Sequence, residues 1–172
     1  MPEVILVNER DEELGHMEKL EAHRQGKLHR AFSVLVFNSS KELLLQRRAM
    51  GKYHSEGLWT NTCCSHPQPG ETILQAAHRR LNEEMGIKSA LSETFHFIYE
   101  AHLDNALIEH ELDHVLIGFS DEEPVINPDE ALDYKWMALT DIEADIKAHP
   151  SSYTAWFKTI INDHLSAIQP HI

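Results

Sequence analysis

Glu71-Thr72-Ile73-Leu74-Gln75-Ala76-Ala77-His78-Arg79-Arg80-Leu81-Asn82-Glu83-Glu84-Met85-Gly86-Ile87 decides how the rest of the chain is read. Leu74, Ala77, Leu81 and Met85 recur at helical spacing and predict one helix over 71–86 with a single apolar face; Gly86 suits its C-cap. Arg80 and Glu84 are four residues apart and share a face. In an isolated helix this pattern is also what a solvated, salt-bridged surface looks like.

Short β signals flank the helix on both sides. Residues 4–8 predict a strand, and 16–25 a polar, helical or irregular segment. Residues 30–37 predict a strong strand that turns at Asn38–Lys41 and returns over Leu43–Gln46, a hairpin pattern. Residues 49–58 predict loop. A strand resumes near Leu58–Cys64 until Pro67, Pro69 and Gly70 interrupt it. Strands are expected at 94–102 and 112–119, joined across Asp104-Asn105. An acidic loop is expected at 121–130 and a strand at 132–139. Thr140-Asp141-Ile142-Glu143 has capping-box form and predicts a short helix. Ser151 or Ser152 is expected to cap a last helix reaching Ile168. The order predicts an α+β layered domain, not a parallel βαβ array.

The chain has 172 residues, 42% hydrophobic and 25% charged, which predicts one compact domain over 1–172. A net charge of −13 argues against nucleic acid and against an anionic membrane surface. It allows a small phosphorylated substrate held by a local basic cluster or a metal ion. The two cysteines, Cys63 and Cys64, are adjacent, a poor disulfide staple. No stretch approaches a membrane span, and the N-terminal run does not read as a signal peptide. The expected setting is a reducing cytoplasm, and the expected state a monomer or weak homodimer.

Three further segments carry chemistry. In Trp59-Thr60-Asn61-Thr62-Cys63-Cys64-Ser65-His66-Pro67, strand alternation puts Cys64 and His66 on one side and Cys63 on the other. Taken alone, Cys64 also fits a small buried hydrophobe. In Glu109-His110-Glu111, two carboxylates share one strand face: a site if buried, a polar edge if exposed. His23 and His29 flank the entry to the strong strand. His23, His29, His66, Glu109 and Glu111 together make a mixed N/O donor set. It suits octahedral Mn²⁺ or Mg²⁺ better than closed tetrahedral Zn²⁺, which stays the alternative ion.

The segment from Arg79 to Ile87, with Glu71 eight residues before it, resembles the Nudix box, which holds a magnesium-bound diphosphate. Two positions depart from that box: Ser65 stands in place of its opening glycine, and Arg80 in place of a catalytic glutamate. With Leu28–Ser33, Trp59–Pro67 and Ile108–Glu111 added, the chain resembles the type 1 isopentenyl-diphosphate isomerases over about residues 4–160. The resemblance implies a Nudix-like mixed β-sheet with flanking helices. It implies a prenyl diphosphate substrate and interconversion of isopentenyl and dimethylallyl diphosphate for isoprenoid biosynthesis.

Position by position, it implies that His23, His29, His66, Glu109 and Glu111 bind one divalent ion. Glu84 binds a second, Mg²⁺ brought in on the diphosphate, and Lys19, Arg48, Lys52 and Arg80 contact the diphosphate. Glu111, with Tyr99, delivers a proton, and Cys64 as thiolate removes one. Trp156 faces the hydrocarbon, where a desolvated π face contributes roughly 2 kcal/mol to a carbocation. Two other readings remain: a Nudix pyrophosphohydrolase of a nucleoside diphosphate derivative, and a non-enzymatic metal- or redox-sensing module.

Overall fold

The computed structural model describes residues 2–172. The strands are β1 (Glu3–Val7), β2 (Glu13–Glu18), β3 (His29–Phe37), β4 (Glu42–Arg48), β5 (Trp59–Thr60), β6 (Cys63–Ser65), β7 (Leu91–His102), β8 (Ile108–Phe119) and β9 (Ala131–Ala138). The helices are α1 (Lys19–Gln25), α2 (Ile73–Met85), α3 (Leu139–Ala148), α4 (Ala155–Asp163) and α5 (Leu165–Ile168). Strand β3 is the organiser. It runs parallel to β8 from His29↔Glu111 to Phe37↔Phe119 and antiparallel to β6 from Phe32↔Ser65 to Val34↔Cys63.

Alternation along β3 and β8 divides the core into two layers. Leu35, Phe37, Val115 and Ile117 face α3, α4 and α5, with Trp156, Phe157 and Ile160 packed on them. Val34, Val36 and Leu116 face α2, with Ala77, Leu81 and Met85 packed on them. The sheet is thus mixed and covered on both sides, as expected for an α+β chain.

Helix α2 starts behind a full capping box between Thr72 and Gln75. It ends at Gly86, whose φ of 64° is left-handed. A side chain there would also meet the Val125 carbonyl oxygen at 2.8 Å, so glycine is needed twice over. Leu74 is not on the buried face, being 39% exposed; Ile73 and Ala76 take its place.

Several expectations are corrected. The polar segment at 16–25 divides into the end of β2 and α1, because Glu13–Glu18 gains a pairing partner in β1. The β3–β4 hairpin closes only at its tip, Phe37↔Leu43. Beyond it Thr62 wedges the strands apart, accepting from Val36 N and donating to the Leu44 carbonyl. The strand expected at Leu58–Cys64 is therefore two short pieces, β5 and β6. Thr140–Glu143 caps nothing. Helix α3 begins at Leu139 directly out of β9, because Leu139, Ile142 and Ile146 are drawn into the core. Ser151 and Ser152 lie in a 3₁₀ turn, and Thr154 is the N-cap of α4 without capping through its side chain. Its hydroxyl instead pairs with that of Thr60 at 2.9 Å. The last helix breaks at His164 into α4 and α5.

Candidate active site and metal centre

The face of β3 and β8 that carries Leu35 and Val115 becomes polar toward one end. Stepping back by twos gives Ser33 and His29 on β3, and Asp113, Glu111 and Glu109 on β8, all buried. Across β3, Cys64 of β6 packs with the same layer, while Cys63 belongs to the α2 layer and is fully buried. The alternation expected for the two cysteines holds. Cys63 Sγ lies 3.5 Å from Glu84 Oε2, whereas Cys64 itself, with Ser33, His66 and Glu111, lines a cavity.

The imidazoles converge from three elements. His23 comes from α1, His29 from the start of β3 and His66 from just beyond β6. His23 Nδ1–H donates to the Lys19 carbonyl at 2.7 Å, and His29 Nδ1–H to the Lys27 carbonyl at 2.8 Å. Carbonyls only accept, so these bonds place a proton on each Nδ1; His23 Nε2 is left bare for a ligand, while His29 Nε2 faces Glu111. Ligand atoms of His23, His29, His66 and Glu111 lie within 4.8 Å of one another. Glu109 joins a second, overlapping group with His23 and His54.

The fit of this donor set to a cation can be tested on the buried atoms. His23 Nε2, His54 Nε2 and Glu109 Oε1 are buried without a hydrogen-bond partner among the described residues. Native structures leave few such atoms, and a shared cation accounts for all three. The cluster fits a divalent metal.

Electrostatics separates the carboxylates. Burial tends to raise Glu111, but hydrogen bonds from His29 and His66, at 3.2 and 2.8 Å, hold it well below the ordinary range. Glu109 and Asp113 are pushed well up, by burial first and then by the Glu111 charge. Ser33 Oγ donates to Asp113 at 2.7 Å. Burial pushes His66 down to about 4, against the pull of Glu111. Tyr99 stands opposite Glu111 in the β7–β8 register, and its hydroxyl donates to Glu111 Oε1 at 3.2 Å. Burial pushes the Cys64 thiol far up, with Arg48 opposing. The protein's own groups therefore favour the thiol at Cys64, so the thiolate expected from sequence depends on a bound cation. A divalent cation nearby acts in the opposite direction.

The four basic residues expected at a diphosphate, Lys19, Arg48, Lys52 and Arg80, all line this cavity, as does Glu84. Burial, then Lys52 and Arg80, push the Lys19 ammonium below its ordinary value, the mark of crowded cations. In a chain of net charge −13, four basic side chains on one cavity are the chemistry that suits an anion. Glu84 is not among the clustered metal donors. Its oxygens meet Gln46 Nε2 at 3.1 Å and Arg80 at 3.0 Å. Trp156 lines the cavity, donates from Nε1 to Asn61 at 3.2 Å, and has the Arg48 guanidinium 5.2 Å from its ring.

The NUDIX domain family matches residues 27–157. An isopentenyl-diphosphate Delta-isomerase of Pectobacterium atrosepticum is 55% identical, over 92% of this chain and 88% of that protein. The chain belongs to the isopentenyl-diphosphate Delta-isomerase family. A second such isomerase, from Aromatoleum aromaticum, is 50% identical over 95% of this chain and 87% of its own length. Among solved structures, DR0079 of Deinococcus radiodurans superposes with a TM-score of 0.78 at 22% identity, covering 93% of this chain and 97% of that one. At that identity the likeness speaks for the Nudix fold alone. The sheet with helices on both faces is thus the family's fold.

Sequence reasoning missed four residues of this isomerase-family site. His54 and Tyr53 come from the 49–58 loop, which has no period to assign a face. Glu130 comes from the acidic loop and pairs with both Lys52 and Arg80. Asp113 had a signal: the alternation that joins Glu109 to Glu111 extends to it.

Proposed function

We propose that residues 1–172 act as one Nudix-fold domain that interconverts isopentenyl and dimethylallyl diphosphate through a tertiary carbocation. The observation that carries the reading is that Cys64 and Glu111 line one cavity with four basic residues. An unactivated alkene needs a proton added at one carbon and another removed from the allylic carbon. Two proton-handling groups on a shared cavity meet that need. Cys64 holds or takes one proton at Sγ. Glu111 holds or takes the other at its carboxylate, with Tyr99 OH hydrogen-bonded to it. The reaction is reversible, so the two exchange roles with direction.

His23, His29, His66, Glu109 and Glu111 would hold one ion, Mn²⁺ or Mg²⁺, with Zn²⁺ as the alternative. Glu84 would meet the Mg²⁺ that accompanies the diphosphate. A bound divalent ion supplies positive charge that fixes the carboxylates and tunes their acidity. Lys19, Arg48, Lys52 and Arg80 orient the diphosphate. Trp156 and the α4 wall keep water from the cationic carbon. A small-molecule substrate is the partner this reading requires; a cytoplasmic setting and a monomeric or weakly dimeric state belong to it. No helix is long and apolar enough to cross a membrane among the described residues.

Incubation with isopentenyl diphosphate and Mg²⁺ in D₂O is the test. Dimethylallyl diphosphate carrying deuterium, with no phosphate released, is the expected result. Phosphate release would point to the hydrolase reading, which Arg80 at the box's catalytic carboxylate position disfavours.

A further inference from the structure

The loop between β4 and β5 carries a side chain that the reaction, as described, leaves without a task. His54 is 1% exposed, although it sits in a surface loop. Its backbone is clamped from below: the Arg48 guanidinium donates to the His54 carbonyl at 3.1 Å and to the Ser55 carbonyl at 3.2 Å. Its ring is clamped on three sides. Nδ1 pairs with Ser55 Oγ at 3.1 Å, Trp156 meets the ring edge-on at 5.8 Å, and the His23 ring lies 5.6 Å away. This fixed ring aims Nε2 at Glu109 Oε2, 3.1 Å away, without hydrogen-bond alignment.

The same spot collects the other unpartnered atoms. His23 Nε2 is 3.9 Å from Glu109 Oε2, and Glu109 Oε1 has no partner among the described residues. Polar atoms buried without partners are costly, and three converging on one point call for a shared partner. All three residues are metal-ligand types, and their ligand atoms lie within 4.8 Å of one another. An ion with bonds of about 2.1 Å spaces opposed ligand atoms about 4.2 Å apart, so a small inward movement closes the set.

We propose that His54 is a fourth imidazole ligand of the buried ion, binding through Nε2 beside His23 and Glu109. The inference rests on the metal centre of the reading above and adds a donor to it. Glu111, already hydrogen-bonded by His29, His66 and Tyr99, then shares the ion's charge with one more neutral donor and stays freer for proton transfer.

The test uses the full chain loaded with Co²⁺. Each coordinated imidazole contributes one paramagnetically shifted, exchangeable ring N–H in the proton spectrum. His54→Gln is expected to remove one such signal and to raise the Co²⁺ dissociation constant by at least about 10-fold. Unchanged signals in His54→Gln overturn the proposal even if affinity falls, since that is how a residue acting only through Glu109 behaves. A structure of the Mn²⁺-loaded wild type decides the point without a variant. An ion about 2.1 Å from His54 Nε2 supports it, and one beyond about 3 Å overturns it. Failure of the wild type to bind Co²⁺ or Mn²⁺ would remove the metal centre itself, and this proposal with it.

Discussion

On α2, Arg80 reaches Glu83, Glu84 and Glu130 at 2.7, 3.0 and 3.1 Å, and Arg79 grips Glu71 through two bonds of 2.8 Å. Across the sheet, among the described residues, Glu109, Glu111 and Asp113 of β8 have no arginine or lysine within ion-pair distance; imidazoles meet Glu109 and Glu111, Ser33 meets Asp113, and buried donors and acceptors are left over. The first region has its opposite charges built in; the second is a donor set that fits a divalent ion. An arginine thus stands among the acids of the Nudix-like helix, whose Arg80 and Glu84 border the same cavity that Cys64 and Glu111 line from β6 and β8. The boundary between the two is one residue wide, because Cys63 faces Glu84 and Cys64 faces Ser33 and His66.

That boundary can be broken most sharply at the cysteines. Removing a positioned acid–base group costs about 10²–10⁴-fold in rate, so Cys64→Ala is expected to lose that much turnover of isopentenyl diphosphate. Cys63→Ala should keep most of its activity, losing only some stability from the missing buried sulfur. The opposite ranking in steady-state assays would mean that the two faces have been assigned backwards.

Next comes Glu84→Gln. The α2 carboxylate should matter through the substrate-borne Mg²⁺, so the Mg²⁺ concentration for half-maximal rate should rise by about 10–100-fold. Elemental analysis should find the ion of the His/Glu centre retained. Loss of that ion would merge the two regions into one.

pH distinguishes the regions through stability. His66 in the folded protein is held at about 4, below its unfolded value of about 6.5. A depressed histidine binds fewer protons folded than unfolded, so its contribution falls as pH drops from about 6.5 toward 4. In chelator-treated protein, wild type should lose on the order of 2 kcal/mol relative to His66→Gln between pH 7 and 5, measured by urea unfolding. A pH-independent difference would mean that His66 is not held neutral.

The smallest effect belongs to the paired charges of α2. The Arg79–Glu71 pair is partly exposed, so Arg79→Ala should cost about 1 kcal/mol at most. That is a few degrees in melting temperature for a chain of this size, with metal content unchanged.

Helix α2, the β3 and β8 strands and the separation of Cys63 from Cys64 were all legible in the sequence. The His23, His29, His66, Glu109 and Glu111 set followed from donor types and the family resemblance, and the four basic residues from the resemblance alone, since Lys52 stands in a loop that no local period orients. Short-range rules failed where a distant partner competes for the same group. Thr154 gives its hydroxyl to Thr60 and not to a helix amide, and Thr62 opens a hairpin whose tip its sequence predicts. His54 and Glu130 were beyond reach for a different reason. They stand in loops, where no periodicity relates sequence position to direction, and their roles depend on which buried atoms lie opposite them. Tertiary packing alone turned His54 toward Glu109 and set Glu130 between Lys52 and Arg80, because only the folded chain brings those groups within a few ångströms.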